Sequence, residues 1–212
     1  MDLIPPDSSA NLLPCDGIVN YHGPILSAEE ADHYFARLRE TIAWRHDEVT
    51  LFGRHIVTAR EVAWYGDRDF AYTYSGTTRT ALPWTEELAE LKTTIETLLD
   101  SPFNSCLINL YHSGSEGMGW HSDDETTLVE NATIASLSLG AERKFSLRHK
   151  RVREKKVSVI LEPGSLLAMR GETQQHWSHA LPKSKRVTDE RINLTFRLMK
   201  WGKEGRQSCR PA

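Results

Sequence analysis

Trp120-His121-Ser122-Asp123-Asp124-Glu125 sets an imidazole and a carboxylate two positions apart. On extended backbone, residues i and i+2 point the same way, so His121 and Asp123 project together and can chelate one ion. A third ligand has to come from elsewhere in the chain. His179, in Gln174-Gln175-His176-Trp177-Ser178-His179, is the best candidate, with His176 three residues earlier as the alternative. Either completes a set of two His and one carboxylate on one face of a metal. The other face stays open for chemistry, an arrangement that suits non-haem Fe(II). An isolated H-x-D is weak evidence in a chain with nine His and 26% charged residues, so its surroundings have to carry the argument.

The strongest support lies twelve residues beyond His179, in Arg191-Ile192-Asn193-Leu194-Thr195-Phe196-Arg197. Read with a period of two, Ile192, Leu194, Phe196 and Leu198 line one face of a strand, and Arg191, Asn193, Thr195 and Arg197 line the other. A strand at the edge of a sheet would alternate in the same way, but its wet face would carry a Lys/Glu mixture. Two guanidiniums, an amide and a hydroxyl instead suit a dicarboxylate, since each guanidinium presents a planar fork to a carboxylate. Asn109-Leu110-Tyr111 repeats the pattern, with amide and phenol on one face.

Together, Asn109 and Tyr111, His121 to Glu125, Trp177 to His179 and Arg191 to Arg197 resemble the AlkB family of Fe(II)- and 2-oxoglutarate-dependent nucleic-acid dealkylases. The resemblance covers roughly residues 45 to 200, and is similar in particular to animal homologs that repair methylated bases in duplex and single-stranded DNA. It implies a double-stranded β-helix, a jelly-roll variant, with flanking helices. It also implies that His121, Asp123 and His179 hold Fe(II), which selects His179 over His176. Arg191 would pair the distal carboxylate of 2-oxoglutarate, helped by Tyr111 and Asn193. Arg197 and Asn109 would hold the carboxylate beside the keto group, and Thr195 would support them. The implied reaction is oxidative demethylation of bases of the 1-methyladenine and 3-methylcytosine type, with an RNA demethylase or a hydroxylase of a protein or small molecule as alternatives.

Substrate contacts follow from the same resemblance. Phe52, between Leu51 and Gly53-Arg54, lies where duplex-active homologs carry an aromatic wedge for the gap left by a flipped base. Tyr74 would stack on that base opposite His121, Tyr72 would hydrogen-bond near it, and Asp124 would accept from its exocyclic amine. Net charge is −3, so any nucleic-acid contact has to be local. Six of the nine residues from Arg148 to Lys156 are Lys or Arg, and Arg148-His149-Lys150 matches a segment that grips the opposite strand in the resembling proteins. Trp64, Trp84 and Trp120 read as packing residues, and Glu125 as a structural acid.

These residues need a frame. A length of 212 residues suits one substantial core, and three scattered cysteines suggest neither a disulfide framework nor a zinc site. No run of apolar residues is long enough to span a membrane and no leader pattern opens the chain, so a cytoplasmic monomer is expected. Residues 1–24 read as an irregular lead-in with a short strand near 17–21. Residues 25–104 read as helices and a nucleotide-recognition region, 105–200 as the catalytic core, and 201–212 as a tail. Ser27 and Glu30 form a capping-box pattern ahead of a helix over 28–42. Pro83-Trp84-Thr85 opens a second helix with Leu88, Leu91, Ile95 and Leu98 on one stripe, stopped by Pro102. Strands are expected within 48–74 and at 105–112, 133–139, 143–149, 155–160, 165–169 and 190–200.

Overall fold

The computed structural model describes the backbone of residues 7–51, 54–74 and 77–201, and their side chains except at 47, 49–51, 54–56, 71–74 and 77–79. The chain starts on β1 (Ile18–Pro24) and turns into α1 (Ala28–Thr41). β2 (Arg45–Leu51), β3 (Arg54–Gly66), β4 (Ala71–Tyr74) and β5 (Thr77–Thr80) follow, then α2 (Glu86–Leu99) and β6 (Ser105–Tyr111). β7 (Met118–His121), β8 (Ile134–Gly140), β9 (Arg143–His149), β10 (Lys156–Leu161) and β11 (Ser165–Arg170) lead to the single turn α3 (Thr173–His176), β12 (Trp177–Leu181) and β13 (Arg191–Arg197).

Seven strands form one sheet in the order β1-β11-β8-β13-β6-β3-β2, and four form a second in the order β10-β9-β12-β7. Antiparallel pairing throughout and a strand order far from sequence order make this the expected jelly roll. β4 and β5 form a separate hairpin. β2 and β3 extend the same sheet as β6 and β13. Likewise β1, within the expected lead-in, pairs with β11.

The helices exist to cover one face of the large sheet. The Ser27 hydroxyl accepts from the Glu30 amide at 3.2 Å while the Glu30 carboxylate accepts from the Ser27 amide at 2.8 Å, so the capping box starts α1 as expected. Thr85 caps α2. Leu88, Leu91, Ile95 and Leu99 of α2 pack with Ala31 and Leu38 of α1 onto Ile108, Leu110, Leu137, Leu139, Ile192, Leu194 and Phe196. The predicted stripe needs one correction: Leu98 is 48% exposed and Leu99 takes the buried place. Spacing of i, i+3, i+7 and i+11 keeps the stripe on one side over three turns, and Leu98 falls off it. Asp100, in the left-handed conformation at φ 47°, ends the helix two residues before Pro102.

With that face closed by helices, the other face of the large sheet meets the small one. Val19, Phe145, Leu147, Leu161, Leu167, Met169 and Trp177 fill part of the gap as a second apolar cluster. The rest of the gap is polar. The β8–β9 corner fixes the join with α1: Gly140 has φ +78°, and a Cβ there would sit 2.5 Å from the Glu190 carbonyl and 2.7 Å from the Phe35 ring. We expect Gly140→Ala to cost on the order of 1–3 kcal/mol, since both the backbone region and the space disfavour a side chain. A lowered denaturant midpoint checks this; an unchanged midpoint would show that the corner relaxes freely.

Candidate metal and co-substrate site

The polar part of the gap gathers, from four strands and one loop, all the residues the sequence nominated for metal and co-substrate. Asn109, Tyr111, His121, Asp123, His179, Arg191, Asn193, Thr195 and Arg197 line one pocket together with Ser136, Phe145 and Met169. Register explains the convergence. β13 pairs with β6 so that Arg191 lies beside Tyr111 and Asn193 beside Asn109, and with β8 so that Thr195 lies beside Ser136 and Asn193 beside Ser138. Because β13 is central in its sheet, its polar face is enclosed by the second sheet and is not a solvated edge.

The metal face comes from the small sheet. β12 and β7 pair with His179 directly opposite His121, and the two Nε2 atoms are 3.1 Å apart. His121 Nδ1 lies 2.8 Å from the Gly119 carbonyl, which keeps the proton on Nδ1 and the lone pair on Nε2. Asp123 follows just beyond the end of β7; its Oδ1 is 3.9 Å from His121 Nε2, and ligand atoms of His121, Asp123 and His179 all lie within 4.8 Å of one another. Two nitrogens bound at about 2.1 Å and at right angles to one ion would be about 3 Å apart, so the pair fits a shared metal. His176 does not join them. It ends α3, 3.5 Å from Glu172, with its ring stacked on His149.

Electrostatics fit the same assignment. Burial pushes His179 down to about 4, with the Asp123 charge opposing and His121 and Arg197 adding, so the ring is neutral and ready to ligate. Burial pushes Asp123 up, but Arg197, His179 and His121 outweigh it and hold the carboxyl below its usual range. Gln174 accepts from the Asp123 amide at 2.9 Å, fixing the turn that aims the carboxylate. Sequence reasoning missed Gln174, and nothing in its spacing would have marked it.

Among the described residues, the co-substrate side holds a buried charge with no ion-pair partner. Arg191 is 2% exposed; it donates to the Ser138 hydroxyl at 2.9 Å, and its Nε has no hydrogen-bond partner. Among the described residues no carboxylate lies within ion-pair distance of it. Burial pushes the guanidinium down to about 10, with the Tyr111 phenol opposing and Arg143 adding. Arg191 and Arg143 both approach the Tyr111 ring, at 5.6 and 5.8 Å from its centroid. Arg143, which by sequence only adds charge to the basic segment around Arg148, is instead buried and satisfied by the carbonyls of Ser113, Glu116 and Pro182. Arg197 pairs with Glu125 at 3.1 Å, so Glu125 belongs to the site's wall. Among the described residues Arg197 Nε, a second donor, is also buried without a partner. Unmet donors and an uncompensated cation are what a bound dicarboxylate would satisfy.

The expected substrate contacts fare unevenly. Phe52 and Gly53 lie outside the described residues, as do the side chains of Arg54, Tyr72 and Tyr74. Asp124 is exposed at the pocket mouth, 3.6 Å from the Lys150 ammonium, which also donates to the Gln174 carbonyl at 2.7 Å. Arg148 is stacked on Trp120, 4.3 Å from the ring. His149 points inward at 3% exposure, its Nε2 3.2 Å from Asp16 and its Nδ1 accepting from the Arg151 and Val152 amides. It shapes the β9–β10 hairpin that presents its basic neighbours.

Two outcomes follow. His121→Ala, Asp123→Ala and His179→Ala should each abolish stoichiometric iron loading while keeping the fold, whereas His176→Ala should load iron like the wild type; metal analysis of purified protein decides. The second concerns pH in metal-free protein. His179 is neutral when folded and free to protonate when unfolded, so between about 6.5 and 4 the unfolded state binds the extra proton. Stability should therefore fall as pH is lowered through that window, by up to about 3 kcal/mol. His179→Gln should flatten the dependence in urea titrations; an equally steep slope would remove the buried neutral ring from the account.

Comparison with known proteins agrees with this geometry. The family model of the 2OG-Fe(II) oxygenase superfamily matches residues 17–197. The chain is similar to the DNA oxidative demethylase ALKBH2 of Mus musculus, 37% identical over 195 residues, covering 87% of this chain and 80% of that one. The ALKBH2 of Homo sapiens is 39% identical over 178 residues, covering 79% and 68%. Alpha-ketoglutarate-dependent dioxygenase alkB homolog 3 of Bos taurus is 37% identical over 208 residues, covering 92% and 68%. A solved structure, that of OsALKBH1, shares the fold at a TM-score of 0.58 and 17% identity, covering 88% of this chain and 98% of that one. With the superfamily match running almost end to end and relatives of this identity over most of its length, the chain belongs to the AlkB family of Fe(II)- and 2-oxoglutarate-dependent dioxygenases.

Proposed function

We propose that this dioxygenase removes methyl groups from N-alkylated bases in DNA, repairing lesions of the 1-methyladenine and 3-methylcytosine type. The observation that carries the reading is the pocket itself, where a His-Asp-His face sits beside a buried Arg191 with no carboxylate partner among the described residues. The DNA substrate is supported by the names of the ALKBH2 relatives and by the basic hairpin beside the pocket mouth.

Iron with 2-oxoglutarate and dioxygen supplies hydroxylation of the N-methyl carbon, after which the base is restored with loss of formaldehyde, and succinate and carbon dioxide are the other products. The chain's own residues do the rest. Arg191, with Tyr111 and Asn193, anchors the distal carboxylate by charge-assisted hydrogen bonds, and Arg197 with Asn109 holds the nearer one. Thr195 donates to the Asn193 amide oxygen at 3.4 Å and steadies that side. Phe145, 5.4 Å from the His179 ring, keeps water from the back of the metal face. Asp124 accepts from the exocyclic amine of the base, Tyr74 stacks on it opposite His121, and Tyr72 hydrogen-bonds nearby. Arg148 and Lys150 bind phosphate, which orients the strand without reading its sequence. Arg54 meets phosphate beside the Phe52 wedge, with Gly53 between them in sequence.

The test is incubation with Fe(II), 2-oxoglutarate and oligonucleotides carrying either methylated base, single- or double-stranded, with mass analysis of the bases. Restored adenine or cytosine with matching formaldehyde is expected. Turnover of 2-oxoglutarate with unchanged DNA, but demethylated RNA or a hydroxylated protein, would overturn the substrate assignment. A wedge matters only when a base leaves a paired stack, so Phe52→Ala should lower the duplex rate on the order of tenfold and the single-strand rate much less. An unchanged ratio of the two rates would return Phe52 to an ordinary packing role.

A further inference from the structure

Trp120 precedes a metal ligand and was expected to pack, yet it is 42% exposed. Strand alternation explains why. His121 faces the pocket, so Trp120 faces away, onto the outer surface of the β10-β9-β12-β7 sheet. There the Arg148 guanidinium lies 4.3 Å from its ring centroid. On the same surface β9 and β10 pair Arg148 with Lys156 and Ser146 with Ser158, and Lys144 follows one repeat along. Ser146 and Ser158 are linked through their hydroxyls at 3.1 Å.

Composition sharpens the picture. Across the chain acidic residues outnumber Lys and Arg, 29 to 26, yet none of these four strands contains an Asp or Glu. An ordinary solvated sheet face mixes both signs and avoids a large exposed aromatic ring. Cations in a row, hydroxyls between them and a ring braced by a guanidinium are instead the components that hold a single strand, with phosphates on the cations and a base on the ring.

We propose that this outer face, centred on Trp120 and Arg148, is a track for the single-stranded nucleic acid that flanks the base in the pocket. The proposal rests on the nucleic-acid reading above and deepens it. β7 is the edge strand of the sheet and carries His121 inward and Trp120 outward, so a strand leaving the pocket mouth meets Trp120 first and then the cations of β9 and β10. A bracing guanidinium also keeps the ring upright and ready, which lowers the ordering cost of stacking.

Binding of labelled, unmodified oligothymidylates of about four and about twelve nucleotides, followed by fluorescence anisotropy, tests this without any turnover. Wild type should bind the longer one more tightly. Trp120→Ala should lose on the order of tenfold affinity for it and little for the shorter one, while Trp120→Phe, which still offers a π-face, should retain most. Lys144→Gln with Lys156→Gln should flatten the salt dependence through lost counterion release. Iron content and near-ultraviolet circular dichroism confirm that each variant is folded. Unchanged affinity of Trp120→Ala for the longer strand would overturn the proposal, as would an acidic peptide that binds this face as tightly as the oligonucleotide. Should wild type bind the strand through Trp120 but repair no methylated base, the track stands and the demethylase reading falls; repair with no Trp120 dependence of binding gives the reverse.

Discussion

A fully buried guanidinium with no anion beside it is costly, because water is removed and nothing of opposite charge replaces it. Among the described residues Arg191 is in that condition, and much of the architecture is arranged around it. It sits on the central strand of the large sheet, facing the gap between the sheets, while Ile192, Leu194 and Phe196 on the other side of the same strand are locked under the helices. A one-residue slip of β13 would bury the polar set under α1 and α2 and turn the apolar set into the pocket, so the helices fix the register that aims the arginines. The neighbouring strand answers with small hydroxyl residues, Ser136 and Ser138, which leave room and accept single hydrogen bonds without neutralising the charge. The second guanidinium, Arg197, is balanced by Glu125, so the positive excess is concentrated at one end of the pocket.

The metal face depends on a different constraint, the pairing of two short strands in the small sheet. His121 and His179 face each other because β7 and β12 are in register there, not because either is close in sequence. Trp177 is buried, and its indole donates to the Cys15 carbonyl at 3.0 Å, tying β12 to the N-terminal segment; Gln174 and the Ser122 hydroxyl, which donates to the Trp177 carbonyl at 2.9 Å, tie down the loop carrying Asp123. Two sheets thus supply two halves of one site, and apolar packing between Phe145, Leu147, Leu167 and Met169 sets their separation.

What could be read from the chain alone was whatever repeats with a local period. The alternation in Arg191 to Arg197 and the spacing of His121 and Asp123 gave the chemistry, and the Ser27–Glu30 pattern gave the start of α1 to the residue. The α2 stripe was off by one at its end, since Leu98 and Leu99 are equivalent in type and only the sheet beneath decides between them. β7 and β12, short and without a strong alternation, were not visible as strands, so neither was the outward turn of Trp120. Gln174, Arg143 and the inward ring of His149 act through long-range contacts that leave no local trace, such as the bond from His149 to Asp16 across 133 residues of sequence. The resemblance to a known family selected His179 over His176, a choice that residue spacing had left open.

Calorimetric titration of 2-oxoglutarate into anaerobic Fe(II)-loaded protein, wild type against Arg191→Met, tests the central claim most directly. Removing one member of a buried charge pair costs about 2–5 kcal/mol of binding. The account predicts an affinity loss of about thirtyfold or more at unchanged iron content, with the unliganded variant as stable as wild type or more so, because its uncompensated cation is gone. Equal 2-oxoglutarate affinity in the two proteins would contradict it, and the buried guanidinium would then need another explanation.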